Sequence, residues 1–288
     1  MRFFLSAVAV ALALAIAGSY AILRYLTHAP GTPHHGPLPP LTDEEIALAP
    51  ILKRHIGTIA AREHNIAHFD ELERVAQYLE TAFKSYGYTP NRWEFFADDK
   101  PVRNIDVVIE PANNIASPDV IVVGAHYDSA RTSPGANDNA TGVAVVIELA
   151  RLLRDLRGVA HKRIRLALFV NEEPPYFQTS DMGSLHYAAA LAAQKERVVA
   201  MYSLETLGCY SSEPGSQRYP VPFGLMLPDR GDFVSFVGTL NSRPLVQETI
   251  RSFRSHTRFP TLAAVAPDIV PGPTGRITGR LSSSACKR

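Results

Sequence analysis

The sequence predicts an α/β fold, a three-layer α/β/α sandwich around a central mixed, mostly parallel sheet. Three observations predict it. Apolar runs at 120–125, 164–170 and 198–204 have strand length and little alternation, as strands buried on both faces do. Helix-length segments at 139–156 and 181–193 stand between them. Strands that alternate with helices assemble into a largely parallel sheet with helices on both faces. The bulk numbers agree. A chain of 288 residues, 46% hydrophobic and 20% charged, suits one such domain with an appendage. The net charge of +1 gives no reason to expect nucleic acid or another polyanion as a partner.

The elements follow in chain order. Phe3 to Leu23 carries no charge and is flanked by Arg2 and Arg24. At about 1.5 Å per residue it is roughly 30 Å long, enough for one bilayer core. Residues 1–26 therefore read as a signal anchor, or as a signal peptide cut after Ala15-Ile16-Ala17. The expectation is an exported, periplasmic or extracellular, catalytic domain, membrane-anchored, or secreted if the segment is cleaved. Residues 27–41 are rich in proline and form an extended linker. His28, His34 and His35 lie in it, where nothing fixes their geometry for a metal. Thr42 with Glu45 is a capping box that opens a helix. Asp70 is placed to cap the next, whose apolar face carries Leu72, Val75, Leu79 and Phe83 and which Gly87 ends. A partly alternating strand spans Val102 to Ile109, and a late helix spans Pro244 to His256. Residues 211–222 read as a polar loop.

In open α/β sheets the functional groups gather beyond the carboxyl ends of the strands. His126, Glu172, Glu173 and Glu205 fall there, and Asp138 precedes a helix within the small-residue run Gly135 to Gly142. Taken singly, each has an ordinary structural role: a loop histidine, a helix cap, an acidic turn, a surface carboxylate. Together they are the donors that a hydrolytic metal site needs. Asp138 can bridge two cations about 3.5–4 Å apart. Asp128 can orient the second ring nitrogen of His126. Glu172 and Glu173 cannot point the same way on an extended backbone, so a metal ligand and a general base are a natural division between them. Cys209 and Cys286 can pair in an exported protein but lack the spacing of a zinc-thiolate site.

At Gly124–Ser129, Gly135–Ala150 and Phe169–Ala188 the chain resembles the co-catalytic di-zinc exopeptidases, the family of bacterial secreted aminopeptidases, glutamate carboxypeptidase and glutaminyl cyclase. The resemblance covers about residues 43–272. It implies that His126 and Glu205 hold one zinc, that Glu173 holds the other, that Asp138 bridges both, and that Glu172 is the general base. It also implies a cis peptide at Asp138-Asn139. Peptide hydrolysis by a metal-activated water is the implied reaction. Aminoacyl cyclisation of the glutaminyl-cyclase type and a binding ectodomain without turnover are the alternatives.

The family places a further histidine on the second zinc, in a late Ser-Asp-His run. Here His256 is the last histidine, and 273–288 shows no apolar periodicity. Pro273–Arg280 can be encoded by codons that, read in a shifted frame, spell Asp-Trp-Ser-Asp-His-Trp-Ser. The tail thus reads as a frameshift product. The expected domain is 42–272, incomplete at its C-terminus, with a weak second zinc site and impaired activity.

Overall fold

The computed structural model describes residues 2–219, 224, 227–266 and the backbone of 279–282. Cys286, most of the tail 273–288, the domain end 267–272 and the last residues of the loop 211–222 lie outside the described residues.

Six α-helices are described: α1 (Arg2–Thr27), α2 (Asp43–Ile59), α3 (Phe69–Ser85), α4 (Ala140–Leu152), α5 (Gly183–Ala193) and α6 (Arg243–His256). Eight strands form a single sheet: β1 (Asn91–Ala97), β2 (Lys100–Ile109), β3 (Val120–His126), β4 (Arg163–Phe169), β5 (Val198–Glu205), β6 (Val234–Thr239), β7 (Thr261–Ala266) and β8 (Gly279–Ser282). Their order is β1-β2-β4-β3-β5-β8-β6-β7. The central β4, β3 and β5 run parallel, while β1 and β2 join antiparallel at one edge.

Alternate residues of the central strands feed two layers, as the pleat requires. Ala125, Leu166 and Leu168 pack with α3 and α4 residues such as Leu79, Phe83, Val143 and Ile147. Val120, Val122, Ala167 and Phe169 pack with Tyr187 and Leu191 of α5 on the other face. A third cluster joins β6, β7 and α6 through Phe236, Val246, Ile250 and Val265.

The Thr42–Glu45 capping box forms in both directions, with bonds of 3.2 and 2.7 Å. Asp70 does not cap α3. Asn65 accepts from the N–H groups of Ala67 and His68 and starts a 3₁₀ turn that runs straight into the helix, so Asp70 lies inside the first turn. α4 also stops earlier than the apolar pattern, and 154–156 is a separate 3₁₀ turn. No periodicity marks a strand in the tail, yet the backbone of Gly279–Ser282 inserts between β5 and β6.

Two buried charge networks fix the antiparallel edge. Arg103 of β2 is ion-paired with Glu73 and Glu80 of α3, and Arg92 of β1 also reaches Glu80. Asp106, with no exposed surface, accepts from Asn91, Trp93, Arg165 and Tyr187, and so joins β1, β2, β4 and α5.

Candidate metal centre

The registers of β3, β4 and β5 bring their carboxyl ends level. His126 pairs with Phe169 across β3 and β4, and Glu205 closes β5 on the other side. The start of α4 is drawn against the same rim by Asn139. Its side-chain oxygen accepts from the N–H groups of Gly142 and Thr206, and its amide donates to the Leu204 carbonyl at 2.8 Å. The approach leaves no room for a side chain at 142. A Cβ on Gly142 would lie 2.5 Å from the Leu204 carbonyl oxygen. Asp138 therefore arrives beside His126 by backbone architecture, and the peptide between Asp138 and Asn139 is cis.

His126 is the focus. Its Nε2 lies 2.9 Å from Asp138 Oδ1, 3.4 Å from Glu205 Oε1 and 3.8 Å from Glu172 Oε2. Donor atoms of His126, Asp138 and Glu205 lie within 4.8 Å of one another, and so do those of His126, Glu172 and Glu173. All five residues expected from the sequence thus converge, and His126 is common to both sets. His126 and Glu205 are buried, whereas Asp138 is half exposed to solvent.

One expectation fails here. Glu172 and Glu173 do not diverge, because the backbone is no longer extended when it reaches them. β4 ends at Phe169, and Asn171 takes a positive φ of 60°. Both glutamate N–H groups then donate to the Asp128 carboxylate, at 3.0 and 3.1 Å. Asp128 also orients the histidine, through its main chain: His126 Nδ1 donates to the Asp128 carbonyl at 3.1 Å. The ring nitrogen left facing Asp138 and Glu205 is Nε2.

Sequence reasoning missed Asn104. This fully buried residue accepts from the Val170 N–H and donates to the Gly183 carbonyl, so it holds the exit of β4 against the start of α5. No local signal distinguishes it, since it lies within an ordinary strand pattern far from both partners in sequence.

The electrostatics are those of an acid-rich hollow. Burial opposes a charge on His126, but the carboxylates of Glu205, Asp128 and Asp138 outweigh it and hold its pKa well above the usual value. Burial pushes the Glu173 carboxyl up to about 7; His126 opposes this, and Asp138, Asp128 and Glu172 add to it. A divalent cation would supply the positive charge that such a cluster favours. The donor set fits zinc, with one imidazole nitrogen and several carboxylate oxygens. The separations of 2.9 and 3.4 Å around Nε2 bracket the roughly 3.3 Å between two ligands on one tetrahedral zinc with bonds of about 2.0–2.1 Å.

Residues 104–221 match the model of peptidase family M28. The uncharacterised protein YfbL of Escherichia coli (strain K12) is 36% identical over 214 residues, which cover 71% of this chain and 64% of YfbL. The aminopeptidase YwaD of Bacillus subtilis (strain 168) is 38% identical over 112 residues, or 38% of this chain and 23% of that protein. The chain thus spans less than two thirds of the length of both relatives. The LapA aminopeptidase of Legionella pneumophila superposes with a TM-score of 0.61 over 87% of this chain and 67% of its own, at 16% identity, a likeness of fold. His126, Asp138, Glu172, Glu173 and Glu205 all fall inside the stretch that is similar to peptidase family M28.

Proposed function

We propose that the protein is a zinc-dependent exopeptidase of the aminopeptidase type, with a peptidase domain at 42–272 exported behind an N-terminal membrane segment at 1–26. The observation that carries the reading is the convergence of one imidazole and four carboxylates at the ends of β3, β4 and β5 and the start of α4. The similarity to the aminopeptidase YwaD of Bacillus subtilis points the same way.

His126 and Glu205 would hold one zinc, Glu173 would serve a second, and Asp138 would be shared between them. Zinc bound there would polarise the scissile carbonyl and acidify a water. Glu172 is the general base. Its carboxylate is partly open to solvent, so a water can reach it. Glu172 takes the proton of the attacking water and returns it to the leaving amine. Asp128 keeps this carboxylate aimed, because it fixes the main chain of Glu172 and Glu173 together.

The two donor sets share His126 as their sole imidazole. We therefore expect one tightly held zinc and a second held weakly, with modest turnover in this 288-residue form. The test is metal analysis with an assay on aminoacyl anilides. Chelator-sensitive release of the anilide, restored by zinc, is the expected result. Zinc-free protein with full turnover would overturn the assignment, and two tightly held zincs would overturn the ranking of the two sites.

A further inference from the structure

The far edge of the sheet from β1 is β7, and it is not a free edge. The last turn of α1 and the residues after it are docked there. Leu26 and Ala29 pack against the cluster of Phe236, Val246, Ile250, Ala263 and Val265. The Arg243 guanidinium of α6 lies 4.1 Å from the centre of the Tyr25 ring, a cation–π contact. Arg254 of α6 acts as a clamp. Its Nη1 reaches three successive carbonyls, of Ala29, Pro30 and Gly31, at 3.3, 2.8 and 2.8 Å. Its Nε and Nη2 bind the side chain and carbonyl of Thr261 on β7. Gly31 turns away with a φ of +79°, and a Cβ there would touch the Arg254 side chain. The start of the proline-rich linker is therefore part of the domain and not a solvated spacer.

Residues 3–22 of α1 are exposed along their whole length. The most apolar 18-residue stretch within Phe3–Thr27 has a mean hydropathy of 2.1, and none of it is buried in the protein. The apolar run ends at Leu23, only two residues before Tyr25. A helix rises about 1.5 Å per residue, so a bilayer around α1 would have its headgroups within about 10 Å of the docking contacts.

We propose that the β7–α6 edge is a membrane-facing surface, seated against phospholipid headgroups by the docked root of α1. The inference rests on the reading of 1–26 as a segment that stays in the membrane. It adds that the catalytic domain is held at the bilayer in one orientation. Arg24 and Arg251 are exposed on these two elements and suit headgroup phosphates. β1, at the other edge of the eight-stranded sheet, is carried about 34 Å away, at about 4.8 Å per strand.

Trp93, the single tryptophan of the chain, lies on β1 and is a built-in reference. Arg258→Trp adds a second, at an exposed position between α6 and β7. The full-length protein is reconstituted in vesicles of phosphatidylcholine and phosphatidylglycerol that carry a shallow brominated lipid. The expected result is co-flotation with the vesicles, unquenched Trp93 in the unsubstituted chain, and strong quenching of the added emission in Arg258→Trp. Co-flotation with the added emission unquenched overturns the docked orientation and leaves the anchor reading standing. Failure to float overturns the anchor reading, and the orientation with it. Arg254→Gln in the Arg258→Trp chain is expected to float yet lose most of that quenching. Quenching that survives Arg254→Gln unchanged overturns the clamp.

Discussion

Asp128 shows how much one residue can do without being a ligand. Its carbonyl selects the His126 tautomer, and its carboxylate takes both glutamate N–H groups. Truncation to alanine strands those donors and frees the segment that carries Glu172 and Glu173. Asp128→Ala is therefore expected to lower zinc affinity or activity by about 10–100-fold, the range for residues that support metal ligands. Zinc titration alongside anilide hydrolysis reads both effects, and a circular dichroism spectrum shows whether the fold is kept. Glu172→Gln should separate them. The amide keeps the shape and cannot take a proton, so turnover is expected to fall by about 10²–10⁴-fold with the tightly held zinc retained. Parallel losses of metal and turnover in Glu172→Gln would make Glu172 a ligand and not the base.

Among the elements, α3 is held to the sheet by charge as well as by its apolar face. Burial acts to raise the Glu80 pKa, but Arg92 and Arg103 outweigh it and hold the carboxyl below its usual value. Arg103 does the same for Glu73. A carboxyl with a depressed folded pKa stabilises the protein above its unfolded pKa of about 4.5, and that stability is lost as pH falls through the folded value. The contribution of these two carboxyls to the urea midpoint is thus expected to be flat from pH 7 to about 5 and to drop below about pH 4.5. Glu80→Gln should cost about 3 kcal/mol at pH 7, the lower end for breaking a buried pair, because Arg103 keeps Glu73. Its midpoint should also change less with acid than that of the unsubstituted protein. Equal acid sensitivity in the two would assign the acid transition to other carboxyls.

The same elements show what was legible beforehand. β3, β4 and β5 are continuous apolar runs, and the side chains at their ends converge in the structure. The Thr42 capping box is a local signal, and it formed as read. β1 was not legible, because its Asn-Arg-Trp-Glu-Phe-Phe-Ala is an edge strand open on one side. β8 is four residues long, and its partners Glu205 and Val237 lie far from it in sequence. The turn at Asn171 was missed for a related reason. A positive φ there is set by tertiary partners: the Asn104 bond to Val170, and the Asn171 amide bond to the Asp181 carbonyl.

For the whole molecule, the centre is a site where folding gathers like charges that the unfolded chain keeps apart. The raised Glu173 pKa of about 7 reflects burial first and neighbouring carboxylates with it. A cation that binds this arrangement and not the unfolded chain must stabilise the fold by mass action. At a free zinc concentration 100 times Kd the gain is about 2.7 kcal/mol. For a domain of this size that is a rise in Tm of about 5–10 °C, at about 2–4 °C per kcal/mol. The rise should disappear with excess chelator, and magnesium at the same concentration should not reproduce it, because the donor set includes a buried imidazole. His126→Ala removes the one donor common to both sets. Its melting temperature should therefore be nearly blind to zinc. His28, His34 and His35 remain intact in that variant and supply the internal control. If zinc raised the Tm of His126→Ala as much as that of the parent chain, the metal would be bound elsewhere, and the linker histidines would be the next place to look.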